Sequence, residues 1–429
     1  MRRLPLFALA VAIALGAAPA GAQDTVRVGI TYRPGVLPAL VVLPAPGLDS
    51  VRAIVGRDLD FSNRFEIIQL AQSAPAAPRT ATPINYAFYR SLGAALALEL
   101  TAGPGEQVTT RLHDLGAERM HTELIRTVDK GGAGEGRMSV HRLSDDLIRA
   151  VTGQPGIAAT RIVFQNANDK RIWRVDSDGA GLVPVSPAGV ETLSPVWSPD
   201  GMRVAYAHLT REGTMPIVLQ TMQTGTRTVV PTTAGTRNMT PAFSPDGTGM
   251  IFARLGEPGV ALYSLNVRDL CCVELLTGGR FAENFSPAYS PDGRRVAFVS
   301  TRAGSQQIYV MAADGTDQEL LVPYDFGDTG NSNAPDWSPD GATIAFHREV
   351  RGAPQIYTFD LAARRQTPRT STGRNEDPSW APDGRHLVFI SDRTGRRQLW
   401  VLDTETGVSR QIMTPASARL PAWSRPIGR

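Results

Sequence analysis

One phrase recurs along the second half of the chain. It reads SPVWSPDG around Trp197, TPAFSPDG around Phe243, SPAYSPDG around Tyr289, APDWSPDG around Trp337 and DPSWAPDG around Trp380, with a truncated LPAWS at Trp423. The aromatic residues stand 43 to 48 residues apart, the period of four-stranded propeller blades. Six copies in register predict six similar units, and a repeat architecture of this kind usually binds.

Each copy reads strand by strand. In the fourth, Pro335 to Ser338 is a short strand, Pro339-Asp340-Gly341 a tight turn in which Pro presets φ and Gly supplies a positive φ, and Thr343 to Phe346 the returning strand. A third strand forms a second repeating column: Ile172 to Val175, Ile217 to Leu219, Leu262 to Leu265, Ile308 to Met311, Ile356 to Phe359 and Leu399 to Leu402. Second strands such as Arg295 to Val299 are apolar on both faces, as strands sandwiched between neighbouring blades should be. All six tryptophans fall in the two repeating columns, which assigns them to packing between blades rather than to a ligand platform. The first unit begins at Thr160 to Phe164 with a second strand lacking its first, and the chain ends at Pro421 to Ser424 with a first strand lacking the rest. The two halves should complete one blade and close the ring with the C-terminal strand.

The N-terminus reads as a secretory signal: basic Arg2 and Arg3, an apolar run from Leu4 to Leu15 too short to span a bilayer, and a small-residue cleavage site at Ala20-Gly21-Ala22. Cleavage would leave Gln23 as the new N-terminus, with no Cys there for a lipid anchor and no later stretch apolar enough to cross a membrane. The formal charge of +3 falls when Arg2 and Arg3 leave, so a nucleic-acid or anionic-membrane partner is not expected. Cys271 and Cys272 are adjacent, and a strand would point them to opposite faces. Buried inert thiols are the expectation, with a vicinal disulfide as the alternative and joint metal ligation disfavoured.

Residues 23–152 suffice for a small α/β domain, 153–159 for a linker and 160–429 for the ring, with 1–22 as the signal. Asp49-Ser50 offers an N-cap to a helix carrying Val51, Ile54, Val55 and Leu59 on one face. Leu143, Leu147, Ile148 and Val151 suggest a second helix, ended by Gly153 with Pro155 beyond. Leu96 to Leu100 and Gln107 to Leu112 flank Gly103-Pro104-Gly105 as a hairpin. Gly153 to Gly156 is the expected hinge. The fold class is therefore a small N-terminal α/β domain followed by a six-bladed all-β propeller.

An enzyme is the rival class, since propellers of this kind sit beside hydrolase domains. No G-x-S-x-G elbow, H-E-x-x-H, P-loop or G-x-G-x-x-G opening a helix is present. The six histidines occupy unrelated strand or turn positions, with His208 and His347 in second strands and away from the mouth, and the repeated SPDG aspartates read as turn formers. No cofactor, metal or catalytic residue is assigned. A third reading is a secreted scaffold that binds cell-wall glycan or another envelope protein.

The order of signal, small α/β domain and six WSPDG-type blades resembles the TolB family of the Gram-negative Tol-Pal system. Local phrases carry the likeness further: Ala53-Ile54-Val55 with Asp58-Leu59-Asp60 and Ser62-Asn63-Arg64-Phe65, the junction from Asp146-Leu147 through Thr152-Gly153 to Gly156 and Ile162, and the ending Leu420 to Ser424. The span from Ser73 to Arg90, the stretch Lys130 to Gly134 and the tail beyond Ser424 depart from the family pattern. The resemblance implies a monomeric periplasmic protein that binds the lipoprotein Pal at one mouth of the propeller and the inner-membrane protein TolA through its N-terminal segment, supporting the outer membrane during constriction. On this chain the mouth residues, expected just before each inner strand, are Ser194, Arg237, Asn238, Thr240, Asn284, Ser286, Asn333, Asn375, Glu376 and Asp377. The N-terminal segment offers Val26, Arg27, Val28 and Ile30 for strand addition to TolA, with the first strand of the α/β domain as the alternative use of the same residues.

Overall fold

The computed structural model of the chain describes residues 37–70, 84–130, 134, 136–257, 259–278, 282–322 and 330–427. The signal peptide and the segment holding Val26, Arg27, Val28 and Ile30 lie outside the described residues, as does most of the stretch from Ser73 to Ile84.

The α/β region is a five-stranded sheet. Strand β1 (Ala39–Val42) is central enough to pair in parallel with both β2 (Glu66–Ile68) and β3 (Leu96–Ala102), and β4 (Gln107–Asp114) and β5 (Arg119–Thr127) continue the sheet antiparallel in the order β2-β1-β3-β4-β5. The expected hairpin is β3–β4, paired from Leu96 with Asp114 to Ala102 with Val108. Helix α1 (Asp49–Phe61) buries Val51, Ile54, Val55 and Leu59 as its apolar spacing requires. Its N-cap is Leu48, with no side-chain cap, and Asp49 lies in the first turn, where its carboxylate meets the positive end of the helix dipole. The expected Asp49-Ser50 cap was therefore misplaced. A short helix α2 (Tyr86–Ser91) is capped by Asn85, whose Oδ1 accepts the Phe88 N–H at 2.9 Å. Helix α3 (Gly136–Thr152) ends at Gly153, which takes φ +72°.

Among the described residues the remaining strands form six four-stranded sheets. Five are sequential. The other joins Ala418–Trp423 to Arg161–Asn166, Ile172–Asp176 and Val183–Pro184, pairing Trp423 with Ile162. We number this clasped sheet as the first blade. The ring thus closes through the C-terminal strand, removing a pair of sheet edges.

Second-strand aromatics Phe164, Tyr206, Phe252, Phe298, Phe346 and Phe389 are 0–1% exposed and form one column around the ring. The tryptophans of the repeated phrase bridge neighbours. Trp337 of the fifth blade packs with Ala297 and Val299 of the fourth, and Trp380 of the sixth with Ala345 and Ile356 of the fifth. At about 25 cal/mol per Å² of apolar area removed from water, such inter-blade faces are the main source of stability.

The SPDG turn is held by its own polar groups. In the fourth blade Ser290 Oγ donates to Asp292 Oδ1 at 2.6 Å, the same oxygen accepts the Arg294 N–H at 3.1 Å, and the Arg295 N–H returns to Ser290 Oγ at 2.9 Å. The Ser290 hydroxyl, followed by the Arg294 N–H, holds the Asp292 carboxyl below its usual range. Gly293 takes φ +72° to close the turn.

Cys271 and Cys272 form a vicinal disulfide on the exposed outer strand Cys271–Leu275 of the third blade. This corrects the expectation of buried thiols. A strand at the outer edge of a blade has no neighbouring sheet to cover it, so neither side chain is buried.

Candidate functional site

The six innermost strands are Ala418–Trp423, Glu191–Trp197, Arg237–Phe243, Asn284–Tyr289, Ser332–Trp337 and Asn375–Trp380. Each is broken by a β-bulge at the same place. The residue before the bulge proline takes a positive φ in every copy: 51° at Ser194, 45° at Thr240, 50° at Ser286, 51° at Ala334, 54° at Asp377 and 51° at Leu420. For a residue that is not glycine this conformation costs about 1–3 kcal/mol, and it persists only where the surrounding structure imposes it. Here the ladders on either side of the bulge impose it. The effect is to turn the strand so that these six side chains line a central channel of about 950 Å³.

The walls of the channel are knitted from blade to blade. Thr240 Oγ1 accepts the Ser286 N–H at 3.2 Å, Asp336 Oδ2 accepts the Trp380 N–H at 2.6 Å, and Ser379 Oγ accepts the Trp423 N–H at 3.2 Å. The Asp377 N–H donates to His347 Nδ1 at 3.1 Å, so His347 stands directly behind the channel wall rather than away from it as the sequence suggested. Burial pushes the His347 imidazole down to about 4, and burial among the inner strands pushes the Asp336 carboxyl up to about 6 against the hydrogen bond from the Trp380 N–H. Asp377 is also raised, chiefly by burial.

The ten expected mouth residues lie within the innermost strands and not in connectors before them. Ser194, Thr240, Ser286 and Asp377 line the channel together. Arg237 is exposed at the start of its strand, with Nε donating to Gly213 O at 3.0 Å. Glu376 pairs with Arg397 at 3.2 Å and Arg374 at 3.6 Å, and Asn333 Nδ2 donates to Gln306 Oε1 at 2.8 Å.

Asn238, Asn284 and Asn375 are a correction, because all three side chains are buried. Each Oδ1 accepts from an arginine within the second strand or two residues past its end: Arg254 at 2.9 Å, Arg302 at 3.1 Å and Arg393 at 2.9 Å. Each guanidinium in turn stacks over an aromatic of the third strand, Tyr263 at 4.7 Å, Tyr309 at 4.7 Å and Trp400 at 4.6 Å. These asparagines hold the blade's inner corner, and a short polar residue just before a strand looks the same in sequence whether it faces water or an arginine. The sequence signal for these arginines is an Arg recurring two or four residues after the second-strand Phe.

The α/β region stands at the SPDG end of the ring. Arg149, Gly153 and Pro155 line the channel beside the turn prolines. Phe61 enters the cluster of Ile162, Phe164 and Trp423, the Arg410 guanidinium lies over its ring at 5.3 Å, and Arg385 Nη2 donates to Asn63 O at 3.0 Å. Among the described residues no helix is long and apolar enough to cross a membrane.

A family model described as the TolB beta propeller domain matches residues 148–427. The curated relatives include the Tol-Pal system protein TolB of Aromatoleum aromaticum, 32% identical over 242 residues that make up 53% of this chain and 54% of the relative. That of Methylococcus capsulatus is 30% identical over 188 residues, 42% of this chain and 43% of the relative. The chain spans about half the length of the curated relatives it matches. The crystal structure of TolB from Acinetobacter baumannii superposes with a TM-score of 0.79 at 26% identity, covering 91% of this chain and 98% of that one. This chain belongs to the TolB β-propeller family.

Proposed function

We propose that the protein is a periplasmic, non-enzymatic binding component of the Tol-Pal envelope system. Its partner at the propeller is a Pal-like lipoprotein, seated at the channel end where the inner strands begin. The observation that carries this reading is the ring of six strained bulges, which spends backbone energy to turn short side chains into one 950 Å³ channel. The opposite end is flanked by Arg149, Gly153 and Pro155 of the α/β region, which leaves the strand-starting end for a partner. Ser194, Thr240, Ser286 and Asp377 inside the channel and Arg237, Asn333 and Glu376 in the first two residues of their inner strands are the contact residues, a polar set suited to a wet, reversible interface. The turn aspartates have their oxygens engaged by the turn itself, which supports binding over catalysis.

Residues 23–30, with Val26, Arg27, Val28 and Ile30, are proposed to contact a TolA-like protein by strand addition, the main chain providing affinity and Val26, Val28 and Ile30 the side-chain selection. Calorimetry of the mature chain with the soluble domain of a Pal-like lipoprotein tests the first contact. Replacing Thr240, Ser286 and Asp377 together by residues of opposite polarity should weaken binding by at least about tenfold, or roughly 1.4 kcal/mol; unchanged affinity with an intact thermal transition would refute the mouth assignment.

A further inference from the structure

Where α1 and α3 meet the first blade, Asp58, His141 and Asp178 converge from three separate segments. One ligand-type atom of each lies within 4.8 Å of the other two, and their side chains are 1%, 0% and 1% exposed. His141 Nδ1 lies 2.8 Å from Asp58 Oδ2, which also accepts the Ser144 hydroxyl at 2.6 Å. The second oxygen of Asp58 and the second nitrogen of His141 have no hydrogen-bond partner among the described residues. Two buried polar atoms left open in one cluster is uncommon, because buried polar groups are nearly always paired.

The neighbouring cations serve the blade side. Arg57 and Arg137 both reach Asp178 Oδ2, Arg137 also approaches Asp176 at 4.0 Å, and Arg161 holds Asp176 at 3.2 Å. Asp145, the remaining carboxylate packed near the cluster, is taken up by the Ala158 and Ala159 N–H groups at 2.8 and 2.9 Å. No described arginine is seen on Asp58 in this arrangement.

We propose that Asp58, His141 and Asp178 form a binding site for a borderline divalent transition metal of the Zn²⁺ class, joining the α/β region to the first blade. One imidazole and two carboxylates are a donor set that Zn²⁺ and Co²⁺ accept with a water as fourth ligand. Ca²⁺ needs six to eight oxygens, and the site lacks them; without a thiolate it does not favour Cu(I). Donor atoms within 4.8 Å of one another approach the roughly 3.3–3.5 Å spacing that metal–ligand distances of about 2.0–2.1 Å set around a tetrahedral ion. The ion takes the place of the proton between His141 Nδ1 and Asp58 Oδ2, releasing it to solvent, brings the open second oxygen of Asp58 within its reach, and displaces Arg137, whose side chain is 16% exposed and can turn outward, from Asp178. Spacing along the chain gave no sign of this site, since its donors come from two helices and a blade turn.

Cobalt titration of the chelator-treated mature chain tests the proposal, because Co²⁺ in a four-coordinate site absorbs strongly in the visible. One equivalent is expected to bind. His141→Gln should weaken binding by more than the roughly 10–100-fold that loss of an outer-shell partner produces, and Arg137→Ala should tighten it by about tenfold through removal of a competing charge. Absence of the band, or a band that survives His141→Gln in full, overturns the proposal. Should His141→Gln fail to fold, anomalous scattering at the zinc edge from wild-type crystals decides: a peak between the three side chains supports the site, and peaks only elsewhere, for example at His347 or His386, contradict it.

Discussion

Arg302 Nη2 donates to Asn284 Oδ1 at 3.1 Å while its guanidinium lies 4.7 Å from the centroid of Tyr309, so one side chain ties the first strand of the fourth blade to its third. Arg302 Nε donates to Ser300 Oγ at 2.9 Å as well. The sixth blade repeats the arrangement with Asn375, Arg393, Trp400 and Ser391. Removing the asparagine takes away one hydrogen bond to a charged group, which is worth about 1.5–3 kcal/mol. Asn284→Ala should therefore lower the urea midpoint by an amount in that range with an unchanged slope. A midpoint equal to wild type would mean that Asn284 is not structural.

Repetition explains what the sequence could reveal. Six copies of one phrase fix the number of blades, the order of strands and the clasp between Trp423 and Ile162, because every copy is an independent reading of the same geometry. The mouth was harder to read. Nothing in the type of Asn238 says that Arg254 reaches it, and nothing in Ser286-Pro287 announces a positive φ, since proline usually presses the residue before it into the extended region. The bulge becomes legible only when six X-Pro dipeptides are aligned on their aromatics. In the α/β region, β5 and α2 escaped notice because β5 is exposed along most of its length and α2 spans only Tyr86–Ser91.

Trp337 is a packing residue. Its ring lies under the Arg295 guanidinium at 4.8 Å, its Nε1 donates to Ala288 O at 3.1 Å and it is 5% exposed. Trp337→Ala should destabilise the chain by about 3–5 kcal/mol in equilibrium unfolding. A loss under about 1 kcal/mol would imply that the inter-blade faces can collapse around the cavity.

Stability should depend on pH through His347. Its folded pKa of about 4 lies below the ordinary 6.5, so the unfolded chain binds more protons in between. The contribution of the neutral ring is fully present above about 6.5 and is lost as pH falls through 4. His347→Gln should remove that part of the slope, which urea unfolding at pH 7, 5.5 and 4 would measure; an identical slope in the variant would be evidence against a buried neutral ring.

Asp336 acts with the opposite sign. Its folded pKa of about 6 stands above the ordinary 3.8, so its contribution is present below about 3.8 and is lost as pH rises through 6. Asp336→Asn keeps an acceptor for the Trp380 N–H and should gain stability relative to wild type between pH 4 and 7. Carbon-13 titration of the wild-type carboxyl should place its midpoint near 6, and a midpoint near 4 would contradict the burial argument.

A photo-crosslinking residue at position 286, inside the channel, compared with one at position 229 on the exposed outer strand Arg227–Val229 of the second blade, tests the binding role of the channel most directly. With the purified soluble domain of a Pal-like lipoprotein, the account predicts a cross-linked product from position 286 and none from position 229. Cross-linking from 229 alone, or equally from both, would contradict a partner seated at the channel mouth.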